Sequence, residues 1–361
     1  MKKGDKLFVT KSFLPPIEEY ISYLNVIWEN HNLTNNGPLL NDFEEKIKNY
    51  LNISDFQFVT NGTLALQLAI SGLSFEQGDE IITTPFSYVG TTSAIMWQGC
   101  KPVYADIDPE TLCLDPATIE PLINKNTKAI LPVHVFGNAC DVDEIEGIAH
   151  RYGLKVIYDG AHAFGSKYYG KSLLDFGDVS ISSFHATKLF NTIEGGGIVC
   201  KDTKVSQRIN LQKRFGHDYD DHIILGINAK ASEFQAAMGL CNLKYIDNII
   251  AVRKELCSFY DTELAGILEK PKIRRGVEYN FAYYPVLFSS EEKLLSTMSQ
   301  LADEDIFIRR YFYPSLEKLP YTDGECPVSF EISKRVACLP LFHELTHGQI
   351  AKISQIIRNS K

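Results

Sequence analysis

The segment Leu154-Lys155-Val156-Ile157-Tyr158-Asp159 decides the fold, because it is a short apolar run that ends in a carboxylate. Similar runs recur along the chain, with helical patterns between them. We predict strands at residues 56–60, 80–84, 102–106, 129–135, 155–159, 179–183 and 197–200. Such alternation is typical of an α/β fold. We therefore expect a mainly parallel seven-stranded sheet between helices, with an antiparallel strand among the last ones.

The spacing of apolar residues also predicts helices and a domain boundary. Helical patterns are expected at residues 17–30, 115–124, 141–152 and 229–264. Beyond residue 264 the helical pattern gives way to a mixture of helical and strand patterns, with strands predicted at 281–288 and 306–309. We therefore expect an N-terminal segment and large domain over residues 1–245, followed by a smaller α+β domain over residues 246–361.

Composition and charge exclude several classes of function. The chain has 361 residues and a formal net charge of −9, so it lacks the general basic surface that nucleic-acid binding requires. A nucleotide-linked small molecule stays possible, because a few backbone amides and placed cations can bind a diphosphate. The eight cysteines have no Cys-x-x-Cys spacing, and no apolar signal core follows the start. We expect a cytoplasmic protein with reduced thiols and no membrane span.

A lone lysine follows the central run. Lys188 ends the stretch Ser183-Phe184-His185-Ala186-Thr187-Lys188, and the triplet Gly195-Gly196-Gly197 comes soon after it. The cofactor pyridoxal 5'-phosphate (PLP) needs an amine for a Schiff base and an anion that keeps its pyridine nitrogen protonated. We predict a PLP site in which Lys188 and Asp159 are the catalytic residues. Because most lysines are solvated surface charges, the prediction depends on the pairing.

Three residues are candidates for holding the cofactor phosphate. Asn61-Gly62-Thr63-Leu64-Ala65 follows the first predicted strand and opens a helix. Backbone amides at a helix N-terminus can bind a phosphate there, and Thr63 can add its hydroxyl. Ser183 can supply a second hydroxyl. The alternative is that these residues form only ordinary turns.

Two aromatic side chains are candidates for contacts with the cofactor ring. Tyr88 lies just beyond the second predicted strand, and its flat face can stack on a pyridine ring. His162 follows Asp159 closely and can hydrogen-bond the cofactor's phenolic oxygen or the carboxylate. The alternatives are core packing for the tyrosine and a structural role for the histidine.

At these residues the chain resembles the sugar aminotransferases of the aspartate aminotransferase superfamily, PLP-dependent transferases of fold type I. The resemblance runs from Thr34-Asn35-Asn36-Gly37-Pro38 to Arg310-Tyr311-Phe312-Tyr313-Pro314. It implies that Lys188 forms the Schiff base and that Asp159 pairs with the pyridinium nitrogen. The residues that it implies around the rest of the cofactor are Tyr88 on the ring and Gly62, Thr63 and Ser183 at the phosphate.

The resemblance also implies a homodimer with shared active sites, in which Asn228 reaches the phosphate bound by the neighbouring subunit. Ala229 and Lys230 stand where many members have tyrosine and arginine, which leaves those two side-chain roles open. The C-terminal residues that it places near the sugar or diphosphate are Arg310, Tyr311 and Tyr313. For Arg309 and Arg310, a place on the solvated surface is the alternative.

The motif that ends in Lys188, followed by Glu194-Gly195-Gly196, is most similar to members that aminate C4 of dTDP-4-keto-6-deoxy-D-glucose. The implied amino donor is L-glutamate. The implied product is dTDP-4-amino-4,6-dideoxyglucose, for surface-polysaccharide or related glycan synthesis. A C3 or other nucleotide keto-sugar aminotransferase is the alternative. A non-catalytic PLP-binding regulator is disfavoured by the complete lysine and aspartate pair.

Overall fold

The segment that ends in Asp159 is the middle strand of a seven-stranded sheet in the computed structural model, which describes residues 6–360. The strands are, in chain order, β1 (Leu7–Phe8), β2 (Gln57–Val59), β3 (Glu80–Thr83), β4 (Lys101–Tyr104), β5 (Thr127–Leu131), β6 (Lys155–Asp159), β7 (Lys167–Tyr168), β8 (Lys171–Ser172), β9 (Val179–Ser183), β10 (Gly196–Cys200), β11 (His217–Asp218), β12 (Asp221–His222), β13 (Val277–Glu278), β14 (Tyr284–Leu287), β15 (Ile306–Phe307) and β16 (Val336–Leu339). The α-helices are α1 (Ile17–Asn30), α2 (Pro38–Leu51), α3 (Gly62–Gly72), α4 (Val89–Trp97), α5 (Val142–Tyr152), α6 (Thr203–Gln212), α7 (Glu233–Leu243), α8 (Ile246–Glu263), α9 (Glu291–Ala302), α10 (Pro327–Arg335) and α11 (His347–Asn359).

The central sheet has the strand order β2-β10-β9-β6-β5-β3-β4. Its neighbouring strands are parallel except at β10, which is antiparallel to both β2 and β9. Most residues of these strands are buried, as expected for a sheet that helices cover on both faces. The predicted α/β class with a mainly parallel sheet is confirmed, and each of the seven predicted runs overlaps one strand of this sheet.

Residues 115–124 do not form the predicted crossover helix. They form two short 3₁₀ turns, at Pro116–Thr118 and Glu120–Leu122. Pro121 explains the difference, because a proline inside an α-helix removes a backbone donor and clashes with the preceding turn. The long helical pattern at 229–264 is divided into α7 and α8.

The apolar cores do not divide at the predicted domain boundary. The larger core contains residues from both sides of it, including Tyr283 and Phe312 from beyond residue 246. A second core, mostly in the C-terminal part, contains Tyr260, Tyr284 and Phe288, and a third packs α3 against the central sheet. Helix α8 begins at Ile246, which packs in the larger core, and continues to Tyr260 in the second. Strand β1 pairs with β15, so residues near both ends of the chain contribute to the smaller part. The division at residue 246 stays a prediction.

Buried aromatic rings hold the loop that carries Lys188. Phe184 and Phe190 lie on either side of this residue in the chain, and their ring centroids are 5.2 Å apart with planes at 88°. Phe164 stacks on Phe190 at 4.4 Å. Such edge-to-face and stacked contacts between buried rings are favourable. Both ends of the lysine loop are therefore anchored in the large core.

Two of the predictions concern the state of the cysteines and a membrane span. All eight cysteines are buried free thiols. Within residues 6–360, no helix combines the length and the apolar character that crossing a bilayer requires.

A buried carboxylate joins α7 to the start of α2. The Glu233 oxygens accept hydrogen bonds from the backbone amides of Leu39 and Leu40, both at 2.9 Å. Gly37 leaves room for this contact, because a Cβ there would lie 2.5 Å from the Glu233 carboxyl carbon. Amides at a helix N-terminus favour an anion, so the contact fixes the entry of α2.

We expect Glu233→Ala to lower the free energy of unfolding by about 2–4 kcal/mol, because two buried amide donors lose a charged acceptor. Urea denaturation of the cofactor-free protein, followed by circular dichroism, measures the change. Glu29→Ala, at an exposed position of α1, is the matched control and should change the midpoint little. An equal effect of both variants would show that the Glu233 contact contributes nothing specific.

Candidate active site

A cavity of about 580 Å³ lies beyond the carboxyl ends of the parallel strands. It is lined by residues that directly follow or end these strands, including Asn61 after β2, Ser87 after β3, Asp159 at the end of β6 and Ser183 at the end of β9. Ligands of open α/β sheets bind at this edge, because loops and helix N-termini meet there. The fold therefore brings residues from distant parts of the chain to one place.

Asp159 is the buried carboxylate at the floor of the cavity. Its side chain accepts hydrogen bonds from the Thr91 hydroxyl at 2.8 Å and from the Ala161 amide at 3.0 Å. Thr91 is in turn 2.8 Å from the Ser87 hydroxyl. Burial raises the pKa of Asp159, and the Ala161 amide, the Thr91 hydroxyl and the Lys188 charge act against that rise. Two neutral donors compensate the buried charge only in part, so a cationic group of a ligand would be favoured beside it.

Lys188 supplies an amine to the same cavity. Its backbone amide donates to the His185 carbonyl at 2.8 Å, which closes a tight turn. Its Nζ lies 3.5 Å from the Tyr283 hydroxyl. Burial lowers the pKa of Lys188, while Tyr311 and Asp159 act in the opposite direction. A lysine in this position holds a larger neutral fraction near neutral pH than a solvated one.

His162 packs beside two aromatic rings. Its ring is nearly parallel to those of Phe136 and Phe312, with centroids 6.2 Å and 5.7 Å away. The backbone amide of Phe136 donates to Nδ1 at 3.2 Å. A ring nitrogen that accepts a hydrogen bond carries no proton, so Nε2 carries the proton of the neutral ring. Burial, aided by the Lys188 charge, lowers the pKa of His162 and keeps the imidazole neutral.

The first turn of α3 faces the cavity and contains two of the predicted phosphate-binding residues, Gly62 and Thr63. Asn61 caps this helix: its side-chain oxygen accepts a hydrogen bond from the Leu64 backbone amide at 2.9 Å. Amides of a first helical turn have no partner within the helix, so they can bind an anion. A Cβ at Gly62 would lie 2.8 Å from the Cβ of Ser183, which explains the need for glycine beside that serine.

Tyr88 stands at the rim of the cavity, immediately before α4. Its side chain is 57% exposed, which is unusual for a large aromatic residue and contrasts with the core-packing alternative. An open aromatic face beside Asp159 and Lys188 is suited to stacking on a flat ring.

The C-terminal candidates are only partly brought together. Tyr311 lines the cavity together with Arg309. Arg310 instead pairs with Glu291 at 2.6 Å and donates to the Lys334 carbonyl at 3.0 Å, and its guanidinium lies over the Tyr313 ring. Arg310 and Tyr313 are thus placed outside the cavity lining. In an extended segment, residues two positions apart point to the same side. This spacing would have predicted that Arg309, rather than Arg310, shares the cavity with Tyr311.

Asn228 also lies outside the cavity of its own chain. It is exposed, and its side-chain oxygen accepts a hydrogen bond from Lys230 Nζ at 3.0 Å. The expected contact of Asn228 with a phosphate bound by a neighbouring subunit therefore stays a prediction.

Sequence reasoning did not identify several residues that line the cavity or support its side chains. These are Ser87, Thr91, Phe312 and Tyr283. Ser87 directly precedes Tyr88 and Thr91 follows it by three residues, so both hydroxyls lie next to a predicted site residue in the sequence. Tyr283 lies far from Lys188 in the chain, and no local pattern indicates that they meet.

Comparisons with known proteins agree with this geometry. The family model described as the DegT/DnrJ/EryC1/StrS aminotransferase family matches residues 16–358. The chain is 42% identical over 365 residues to a dTDP-4-amino-4,6-dideoxy-D-glucose transaminase of Shigella dysenteriae, covering 98% of this chain and 99% of that protein. An Escherichia coli protein of the same name is 36% identical over 367 residues, covering 97% of each chain. The crystal structure of DesI in the presence of its TDP-sugar product superposes with a TM-score of 0.93 at 29% identity, covering 98% of this chain and 93% of that one.

Proposed function

The chain belongs to the DegT/DnrJ/EryC1/StrS aminotransferase family and is a PLP-dependent sugar aminotransferase, and from this premise we propose its substrates. The proposed reaction moves an amino group from L-glutamate to C4 of dTDP-4-keto-6-deoxy-D-glucose and gives dTDP-4-amino-4,6-dideoxyglucose. The observation that carries this proposal is the pairing of Lys188 and Asp159 in one cavity of a chain 42% identical to a transaminase named for that product.

The residues of the cavity fit PLP. The Ala161 amide, the Thr91 hydroxyl and the Lys188 charge offset the burial of the Asp159 carboxylate only in part. A protonated ring nitrogen would supply it with a direct cationic partner. The first turn of α3 and Ser183 would hold the phosphate, and Tyr88 would stack on the ring. His162, neutral and with its proton on Nε2, would donate a hydrogen bond to the cofactor's phenolic oxygen.

When bound, PLP supplies an aldehyde that can carry an amino group and a ring that accepts electrons from the reacting carbon. The chain's own part is to move protons and to hold charge. Lys188 Nζ would take a proton from the carbon of the donor, which requires a neutral amine, and as the ammonium it would give a proton to C4 of the sugar. Its lowered pKa favours the neutral amine, and Asp159 keeps the opposite end of the site anionic.

Arg309 and Tyr311 are proposed to face the nucleotide sugar. The Arg309 guanidinium lies 4.6 Å from the centre of the Tyr311 ring, which holds it at the cavity wall. A guanidinium in this place can pair with a diphosphate oxygen. The transaminases named for a dTDP-linked sugar at 42% and 36% identity support dTDP as the nucleotide.

A homodimer with shared active sites is part of the proposal. Asn228 follows an exposed hairpin, β11 to β12, in which Tyr219 is 97% exposed, and Leu225 beside it is 93% exposed. Large apolar side chains left open in this way favour a protein contact. We also propose a cytoplasmic location, because free thiols persist in reducing compartments.

Incubation of the purified protein with PLP, L-glutamate and dTDP-4-keto-6-deoxy-D-glucose tests the reaction. Mass spectrometry should detect the amino sugar, and NMR should place the nitrogen on C4. A nitrogen on C3 of a 3-keto substrate, with no product from the 4-keto sugar, would replace the proposal with the C3 alternative. Glutamate conversion without any change in the sugar would discard this substrate and keep the aminotransferase.

Co-expression of two impaired variants, assayed at a PLP concentration that leaves Asn228→Asp largely unloaded, tests the shared site. We expect Asn228→Asp to weaken PLP binding by at least about 10-fold, because a carboxylate would face the phosphate. Co-expression of Asn228→Asp with Lys188→Ala should restore activity to about a quarter of wild type, since random pairing gives one intact site in each mixed dimer. Co-expression of two differently tagged Lys188→Ala chains is the control. Activity no higher than the sum of the separate variants would reject a site shared through Asn228.

A further inference from the structure

Two polar side chains that the proposed chemistry leaves unused face each other in the cavity. His185 and Glu194 both line it, with side chains 45% and 52% exposed. His185 Nε2 lies 3.5 Å from Glu194 Oε1. A direct hydrogen bond between nitrogen and oxygen prefers about 2.9 Å, so each atom retains capacity for another partner.

The hydrogen bonds around His185 determine where its proton lies. The Thr187 amide donates to Nδ1 at 3.2 Å, and the Thr187 hydroxyl lies 2.8 Å from the same atom. Because Nδ1 accepts a hydrogen bond from the Thr187 amide, the proton of the neutral ring is on Nε2. A donor on His185 and a carboxylate acceptor on Glu194 therefore face each other.

Hydrogen bonds fix the backbone at both residues. The Glu194 carbonyl accepts hydrogen bonds from Gln235 Nε2 at 2.7 Å and from the Thr192 hydroxyl at 2.8 Å. The His185 carbonyl accepts from the Lys188 amide at 2.8 Å, so His185 belongs to the same turn as the reacting amine. Both residues therefore project from backbone that is held in place, and His185 shares the turn of Lys188.

We propose that His185 and Glu194 together bind one hydroxyl of the sugar, the one on C3, next to the carbon that is aminated. A hydroxyl both donates and accepts, so it can donate to Glu194 and accept from His185 at the same time. His185 lines the same cavity as Lys188 and belongs to its turn, so we assign the contact to the hydroxyl next to the reacting carbon. The inference rests on the proposed function for the identity of the sugar and assigns a specificity role to two residues.

Binding of unreactive sugar nucleotides to the PLP-loaded protein tests this assignment without turnover. Isothermal titration calorimetry would compare dTDP-glucose, dTDP-3-deoxyglucose and dTDP. We expect wild type to bind the 3-deoxy sugar about 10-fold more weakly than dTDP-glucose, the effect of one hydrogen bond to a charged group. In Glu194→Gln and in His185→Gln this ratio should fall towards one, while the affinity for dTDP stays unchanged.

An unchanged ratio in both variants would overturn the proposal. Loss of discrimination against dTDP-2-deoxyglucose instead would show that the pair binds the C2 hydroxyl, which also rejects the assignment. The nucleotide is tested separately: if wild type prefers UDP or GDP to dTDP, the proposed substrate fails. The same deoxy comparison with the preferred nucleotide then decides the role of His185 and Glu194.

Discussion

Lys188→Ala is expected to lower kcat by more than about 1,000-fold while the protein keeps its fold. Proton transfer by a positioned group contributes about 10²–10⁴-fold, and here the same amine would also hold the cofactor. Among the described residues that line the cavity, Lys188 is the single lysine. The surrounding loop depends on Phe184 and Phe190, which the substitution leaves in place. Steady-state assays with L-glutamate and the keto sugar measure the loss.

A second readout locates the cofactor. Borohydride reduction of the PLP-loaded protein should fix the cofactor on the peptide that contains Lys188, as detected by mass spectrometry. Lys128→Ala, at an exposed position of β5, should retain both the label and the activity. Turnover of Lys188→Ala close to that of wild type, or a label on another lysine, would reject the assignment.

The pKa of Lys188 gives this prediction a pH dependence. Burial lowers the pKa below its ordinary value of 10.5, so the neutral amine is populated at lower pH than in a solvated lysine. The rate at which cofactor-free protein captures PLP should therefore rise with pH and level off before pH 10.5. A rate that still rises steeply through pH 10.5 would indicate a solvated lysine.

The sequence predicts most of the large domain because its signals are local. The run that ends in Asp159 is buried on both faces, and a continuous apolar run is typical of a parallel strand. The candidate residues Gly62, Tyr88 and Ser183 follow or end such runs, and the parallel sheet brings their ends to one edge. Pro121 was a local signal too, and giving it more weight would have prevented the prediction of a helix there.

The C-terminal residues were harder to predict because their positions depend on packing between distant segments. Arg309 and Arg310 are adjacent and chemically identical, and the pairing of Arg310 with Glu291 separates their roles. Tyr283 lies beyond residue 246 in the chain but packs in the larger core, where it meets Lys188. No spacing in the sequence encodes such contacts.

Asp159→Asn is expected to lower kcat by about 10²–10³-fold, the typical cost of removing one electrostatic contact to the reacting system. Asparagine has nearly the same shape and can accept from the Ala161 amide and donate to the Thr91 hydroxyl. The loss would therefore arise from the missing charge rather than from repacking. Thr91→Val is the matched control: it removes the hydroxyl that bonds Asp159 and Ser87 but keeps the carboxylate, so its effect should be much smaller.

The same substitution should stabilise the cofactor-free protein. Burial raises the pKa of Asp159 above its ordinary value of 3.8, so the folded protein binds the proton more tightly than the unfolded chain. Ionisation of Asp159 then costs stability progressively as pH rises above 3.8. We expect Asp159→Asn to raise the unfolding temperature of the cofactor-free protein at pH 7, and the gain to shrink towards pH 4. PLP should reverse the order at pH 7, because only the wild-type carboxylate would pair with the cofactor's cation. If Asp159→Asn is less stable in the absence of PLP and binds PLP as tightly as wild type, then Asp159 is a structural residue and the cofactor's ring nitrogen has another partner.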